Sequence, residues 1–279
     1  MRSRRWTLVA FFLLTFALSW LVWVPVMTAS FGWPGWVFLP AGLVGAIMPG
    51  IAALIVAAIV GRWKEVRALL RQVTVWRVGI RWYAAALALV PVLIGVAYFG
   101  SSLWRGSFLP APALSVGALL FMIAIQIPNT LSEELGWRGF ALPRMAGAFG
   151  WLGASLILGV MWATWHIPYW ISAPNVHQYG FTAVALFFVM PVAASVFLAW
   201  MYRETKSVLL TWLTHLSINV SIAFMPLSSE QIGNLWPQAL YTVLIVAVGA
   251  IAARQLMRRS GAADPRRSEI AGRKGYHPA

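Results

Sequence analysis

Glu133 and Glu134 stand side by side in a chain with only 7 acidic residues among 279. They follow the apolar run 118–127 and precede Gly136-Trp137-Arg138-Gly139-Phe140. An ionisable side chain at membrane depth costs at least ~2.5–3.5 kcal/mol on insertion scales. Two adjacent carboxylates cost more, so the pair must be neutralised, hydrated or used. On a helix Glu134 and Arg138 are i,i+4 and face each other, while Glu133 points about 100° away. Arg138 therefore pairs with Glu134. Glu133 is left without an intrahelical partner, in a low-dielectric setting suited to a general base.

Two further polar clusters interrupt apolar stretches. Trp162-Ala163-Thr164-Trp165-His166 closes one, and His215-Leu216-Ser217-Ile218-Asn219 lies inside another. Trp162 and His166 share a helix face, as do His215 and Asn219. A lone intramembrane His or Asn commonly serves as interhelical glue, and Trp162 reads as packing. Taken together, a carboxylate, two imidazoles and an amide can activate a water and hold an oxyanion. Glu133, His166 and His215 could instead ligate Zn²⁺ with an open position. His-Glu-x-x-His is absent, so the chain is not an ordinary zincin. His177 and His277 fall in an outer loop and the tail and carry no assignment.

The elements that must position these groups are membrane spans. Mean hydropathy is +0.77, 61% of residues are hydrophobic and 10% are charged, against about 25% charged in a soluble domain. Windows of ~20 residues give eight spans: 6–28, 37–60, 82–103, 113–131 with a polar extension, 150–167, 181–201, 208–224 and 237–253. Lipid offers the backbone no partners, so the spans are helical. The expected class is an all-α polytopic membrane protein with about eight transmembrane helices. One membrane-embedded domain covers 1–257, and 258–279 form a basic, disordered cytoplasmic tail.

The net charge of +14 follows topology. With the N-terminus inside, 20 of the 21 basic residues fall in cytoplasmic segments, counting Arg138 and Arg144 between the fourth and fifth spans; Arg105 is the exception. That bias predicts a multi-pass protein of the plasma membrane with both termini cytoplasmic, and it argues against nucleic acid as a partner. Arg2-Ser3-Arg4-Arg5 with the first span reads as a retained signal anchor. Within 61–81, Arg62, Lys64, Arg67 and Arg71 beside Val66, Leu69 and Leu70 suit an amphipathic helix on the inner surface. No cysteine is present, which removes disulfides, thiolate metal sites and cysteine nucleophiles.

Glu133-Glu134-x-x-x-Arg138, Trp162-x-x-x-His166 and His215-x-x-x-Asn219, in that order and each on an apolar span, resemble the CPBP (Abi) family. That family includes the Rce1-type CAAX prenyl protease 2 and bacteriocin-processing intramembrane endopeptidases. Phe is commonest where Trp162 stands, a departure expected to leave the chemistry untouched. The resemblance implies an eight-helix membrane endopeptidase. Glu133 and His166 would activate the attacking water, His215 and Asn219 would stabilise the oxyanion, and Arg138 would hold Glu134. It implies a peptide or protein substrate and no required cofactor, with Zn²⁺ as the alternative. Asn is a poor Zn²⁺ ligand and a better oxyanion donor. An ion-coupled transporter or proton relay, and a non-catalytic immunity-type membrane protein, are the competing readings. If the fourth span ends near Leu142, Glu133 and His166 differ in depth by roughly 10 Å. A tilt, an earlier end to the fourth span or a re-entrant 136–150 segment would be needed to close that offset.

Overall fold

The computed structural model describes residues 2–27, 37–105, 115–168, 179–225, 227 and 234–261. Every regular element among them is helical. The helices are α1 (Arg2–Met27), α2 (Phe38–Ala46), α3 (Met48–Arg71), α4 (Ile80–Ala84), α5 (Val90–Arg105), α6 (Val116–Glu134) and α7 (Leu142–Trp165). They continue with α8 (Phe181–Thr205), α9 (Val208–Phe224) and α10 (Trp236–Gly261). A π-helical turn, Ala85–Leu89, joins α4 to α5, and a second, Leu135–Ala141, joins α6 to α7.

Among the described residues, six stretches are long and apolar enough to cross a membrane, and Val208–Phe224 is a shorter apolar helix. One of the six, Val116–Trp165, runs for 50 residues and must fold back on itself. Trp162 hydrogen-bonds Glu133, yet 29 residues of straight helix would separate them by about 43 Å. The reversal falls at Gly150, whose φ of +66° breaks the helix in the region that L side chains avoid. The expected fourth and fifth spans are therefore the two arms of one hairpin, and the eight-span reading is recovered.

That hairpin also resolves the expected depth offset. The fourth span does not end at Leu142, because helix continues through the π turn to Phe149. Glu133 lies seventeen residues before Gly150 and His166 sixteen after it, so arms of nearly equal length bring both to one level.

The second apolar stretch also breaks. Gly61 and Arg62 leave helical geometry, with Arg62 at φ 51°. The arm beyond them buries Val66 and Leu69 and exposes Trp63, Lys64, Arg67 and Arg71, the amphipathic pattern expected there. The last helix reaches Gly261, past the expected tail boundary at 258; residues 262–279 lie outside the described residues, as do His177 and His277. Arg105 closes α5.

Caps and contacts lock the frame. Ser115 Oγ accepts from Ala118 N–H at the start of α6, and Ser207 Oγ from Leu210 N–H at the start of α9, each satisfying an orphan donor of a first turn. α7 packs along α8, α8 along α10, and the Leu135–Ala141 turn along α3. The last contact is backbone to backbone: a Cβ on Gly136 would lie 2.6 Å from Pro49 O. Ser132 Oγ reinforces it, donating to Ile47 O at 2.5 Å and accepting from Gly50 N–H at 3.1 Å.

Candidate functional site

The polar cluster is assembled from α6, the π turn behind it, α7 and α9. All seven residues of the turn Leu135–Ala141 are buried. π turns inside α-helices occur frequently at functional sites, and this one directly follows both carboxylates.

Glu134 is the hub of the ionic part. Its Oε1 accepts from Arg138 Nη1 at 2.7 Å and from His215 Nδ1 at 3.0 Å, and Glu134 and Arg138 are fully buried. The expected Glu134–Arg138 pair is present. Arg138 is thereby corrected as a contributor to cytoplasmic surface charge: its side chain is buried among protein groups. Removing one charge from a buried pair typically costs 3–5 kcal/mol, which keeps the guanidinium inside. Nε and Nη2 of Arg138 have no hydrogen-bond partner among the described residues; the guanidinium lies over the Trp162 ring, 4.4 Å from its centroid, a cation–π contact.

Glu133, 4% exposed, has its partner on the other arm of the hairpin. Trp162 Nε1–H donates to Glu133 Oε2 at 2.7 Å. The expectation that Trp162 only packs is corrected here. Phe has no N–H, whereas the indole makes a charge-assisted bond to the carboxylate. Trp162 also stands edge-on to the His215 ring at 5.2 Å and 5.9 Å from the His166 ring.

Bond partners determine the histidine tautomers. A backbone carbonyl only accepts, so His166 Nδ1, 2.9 Å from Trp162 O, carries a hydrogen. An ionised carboxylate only accepts as well, so His215 Nδ1 carries a hydrogen towards Glu134. Asn219 Nδ2 donates to Gln126 Oε1 at 3.1 Å; an amide has two N–H donors, so one bond leaves the second.

Glu133, His166, His215 and Asn219 line one cavity of about 820 Å³, together with Gln126, Asn129 and Trp162. The four expected site residues are thus brought together; Glu134 and Arg138 support them from behind. Gln126, Asn129 and the Trp162 indole are the polar groups the sequence reading missed. Gln126 stands one helical turn before Thr130 and two before Glu133, a spacing that could have flagged it. Among the described residues no three His, Asp or Glu side chains form a group able to hold a metal ion. Glu133, His166 and His215 as placed do not fit a zinc site.

Residues 115–221, the segment that carries all of these groups, match the family model described as type II CAAX prenyl endopeptidase Rce1-like. That segment is similar to the Rce1-like family. A curated relative from Methanococcus maripaludis, called CAAX prenyl protease 2, is 25% identical over 151 residues. The match takes in 52% of this chain and 55% of the relative, so the chain spans about half the length of that curated protein. The matched family segment begins at the α6 cap, Ser115, and ends two residues past Asn219. It leaves out α1–α5 and α10.

Proposed function

We propose that the chain is an intramembrane endopeptidase that hydrolyses a peptide bond with a water activated by Glu133 and His166. The observation that carries this reading is the meeting of Glu133, His166, His215 and Asn219 on one cavity, within the segment matched by an endopeptidase family. The cavity is otherwise largely apolar, as a site receiving a polypeptide segment inside a bilayer requires.

Glu133 takes a proton from water while Oε2 is held by the Trp162 indole. His166 Nε2 accepts the water's second hydrogen and fixes its direction. The water oxygen bonds to the carbonyl carbon, and the C=O electron pair moves onto oxygen. Asn219 Nδ2–H and His215 Nε2–H donate to that oxyanion. For His215 to donate from Nε2 it must be an imidazolium, because Nδ1–H already faces Glu134. Glu134, Glu133, Arg138 and that imidazolium then sum to zero, which suits a site where a net charge is expensive. When the tetrahedral intermediate collapses, the C–N bond breaks and the proton held by Glu133 passes to the leaving amine.

No step is routed through a metal. The protein is a multi-pass membrane protein, and we assign the basic ends of its helices to the cytoplasm and the plasma membrane as its location. The test is Glu133→Gln and His166→Ala in protein that retains its detergent-extracted fold. Both should abolish cleavage of an authentic substrate, and cleavage should survive exhaustive chelation. Unchanged processing by Glu133→Gln overturns the reading.

A further inference from the structure

The cavity and the basic charge occupy opposite ends of the molecule. Successive spans run antiparallel, so position along each helix reports its side. The cavity is lined by Met27 at the end of α1, Leu39 at the start of α2, Phe187 early in α8, Ile222 near the end of α9 and Tyr241 early in α10. All of these ends lie on one side. Among the described residues, no lysine or arginine lines it.

The other ends carry the cations, Arg105 at the end of α5 excepted. Lys64, Arg67 and Arg71 follow the break in α3, Arg144 lies near the hairpin reversal, Arg203 and Lys206 close α8, and Arg254 and Arg258 lie late in α10. The bias in Lys and Arg sets which side stays in the cytoplasm, and anionic lipid there attracts each cation by about 1 kcal/mol. The basic end is therefore cytoplasmic, and the cavity belongs to the other half of the bilayer.

We propose that the cavity is entered from the non-cytoplasmic side, and that the substrate is an apolar polypeptide segment presented at the outer leaflet. This rests on the peptidase reading for the word substrate, whereas the side of entry rests on charge and helix polarity alone. An enzyme so oriented acts on chains that have been exported or inserted in the membrane, after their translocation. Its product is released outside or into the outer leaflet. The reaction itself is the hydrolysis already described, needing only water.

The chain contains no cysteine, so one introduced thiol is the sole target of a maleimide. Leu39→Cys and Ile222→Cys place it in the cavity, and Lys64→Cys on the basic end. Intact cells expressing the full chain are treated with a membrane-impermeant maleimide, before and after permeabilisation. The expected result is labelling of both cavity positions in intact cells. Lys64→Cys should react at least about tenfold more after permeabilisation. Labelling of Lys64→Cys in intact cells, or of both cavity positions only after permeabilisation, overturns the proposal. The same labelling in a Glu133→Gln background separates the two claims: accessibility must not change there, whether or not the chain proves to be a peptidase.

Discussion

Trp162 Nε1 donates a 2.7 Å hydrogen bond to Glu133 Oε2, joining the two arms of a hairpin across 29 residues of sequence. The same indole carries the Arg138 guanidinium on its face, and the Trp162 carbonyl orients His166 through Nδ1. One side chain and its backbone thus touch the proposed base, its proposed imidazole partner and the buried cation. Trp162→Phe keeps the aromatic body and removes only the N–H. A hydrogen bond to a charged group contributes about 1.5–3 kcal/mol. We expect kcat to fall about tenfold to a hundredfold with KM nearly unchanged. Steady-state kinetics on purified protein check this; an unchanged kcat would show the indole to be packing alone.

Glu134 and Arg138 form a pair that neither partner can leave cheaply. Glu134→Ala strands a buried guanidinium, and Arg138→Ala strands a buried carboxylate. Each is expected to destabilise by about 3–5 kcal/mol. The double change Glu134→Gln with Arg138→Met should cost less than the two single changes added together. Thermal unfolding in detergent, read as a double-mutant cycle, measures the coupling; strict additivity would contradict the pairing.

Gly136 lets the π turn touch α3. A Cβ there meets the Pro49 backbone at 2.6 Å, whereas a Cβ on Gly147 meets nothing within 4 Å. Gly136→Ala should lower the unfolding midpoint and the yield of folded protein, while Gly147→Ala should leave both within experimental error. Backbone cannot yield as a flexible side chain does, and overpacking of this kind costs about 1–3 kcal/mol. Equal behaviour of the two alanines would refute the close approach.

Gln126 holds Asn219 through its amide oxygen at 3.1 Å. It is a positioning residue, one bond behind the proposed oxyanion donor. Gln126→Ala is expected to reduce kcat about fivefold, the equivalent of roughly 1 kcal/mol for one hydrogen bond. Gln126→Glu, which keeps the acceptor, should restore most of that loss. Asn219→Ala should cost more than Gln126→Ala; the reverse order would exclude this arrangement.

What could be read along the chain was what depends on near neighbours. Hydropathy over ~20 residues marks a helix because lipid leaves the backbone no other partner, so the spans were legible before any coordinates. The Glu134–Arg138 pair was legible for a similar reason: i,i+4 neighbours meet on any helix. The ordered polar clusters, each inside an apolar run, named Glu133, His166, His215 and Asn219. Who meets whom across helices was settled by tertiary structure. Glu133 with Trp162, Glu134 with His215 and Asn219 with Gln126 are separated by 29, 81 and 93 residues. No periodicity relates such positions. Their meeting depends on where the hairpin turns at Gly150 and how closely Gly136 lets α3 approach, and both are outcomes of packing. The sequence reading counted Arg138 among the cytoplasmic cations because a basic residue between two spans looks like a loop residue. Only the continued helix through Leu135–Ala141 carries it inward, where Glu134 and the Trp162 face replace the water it leaves.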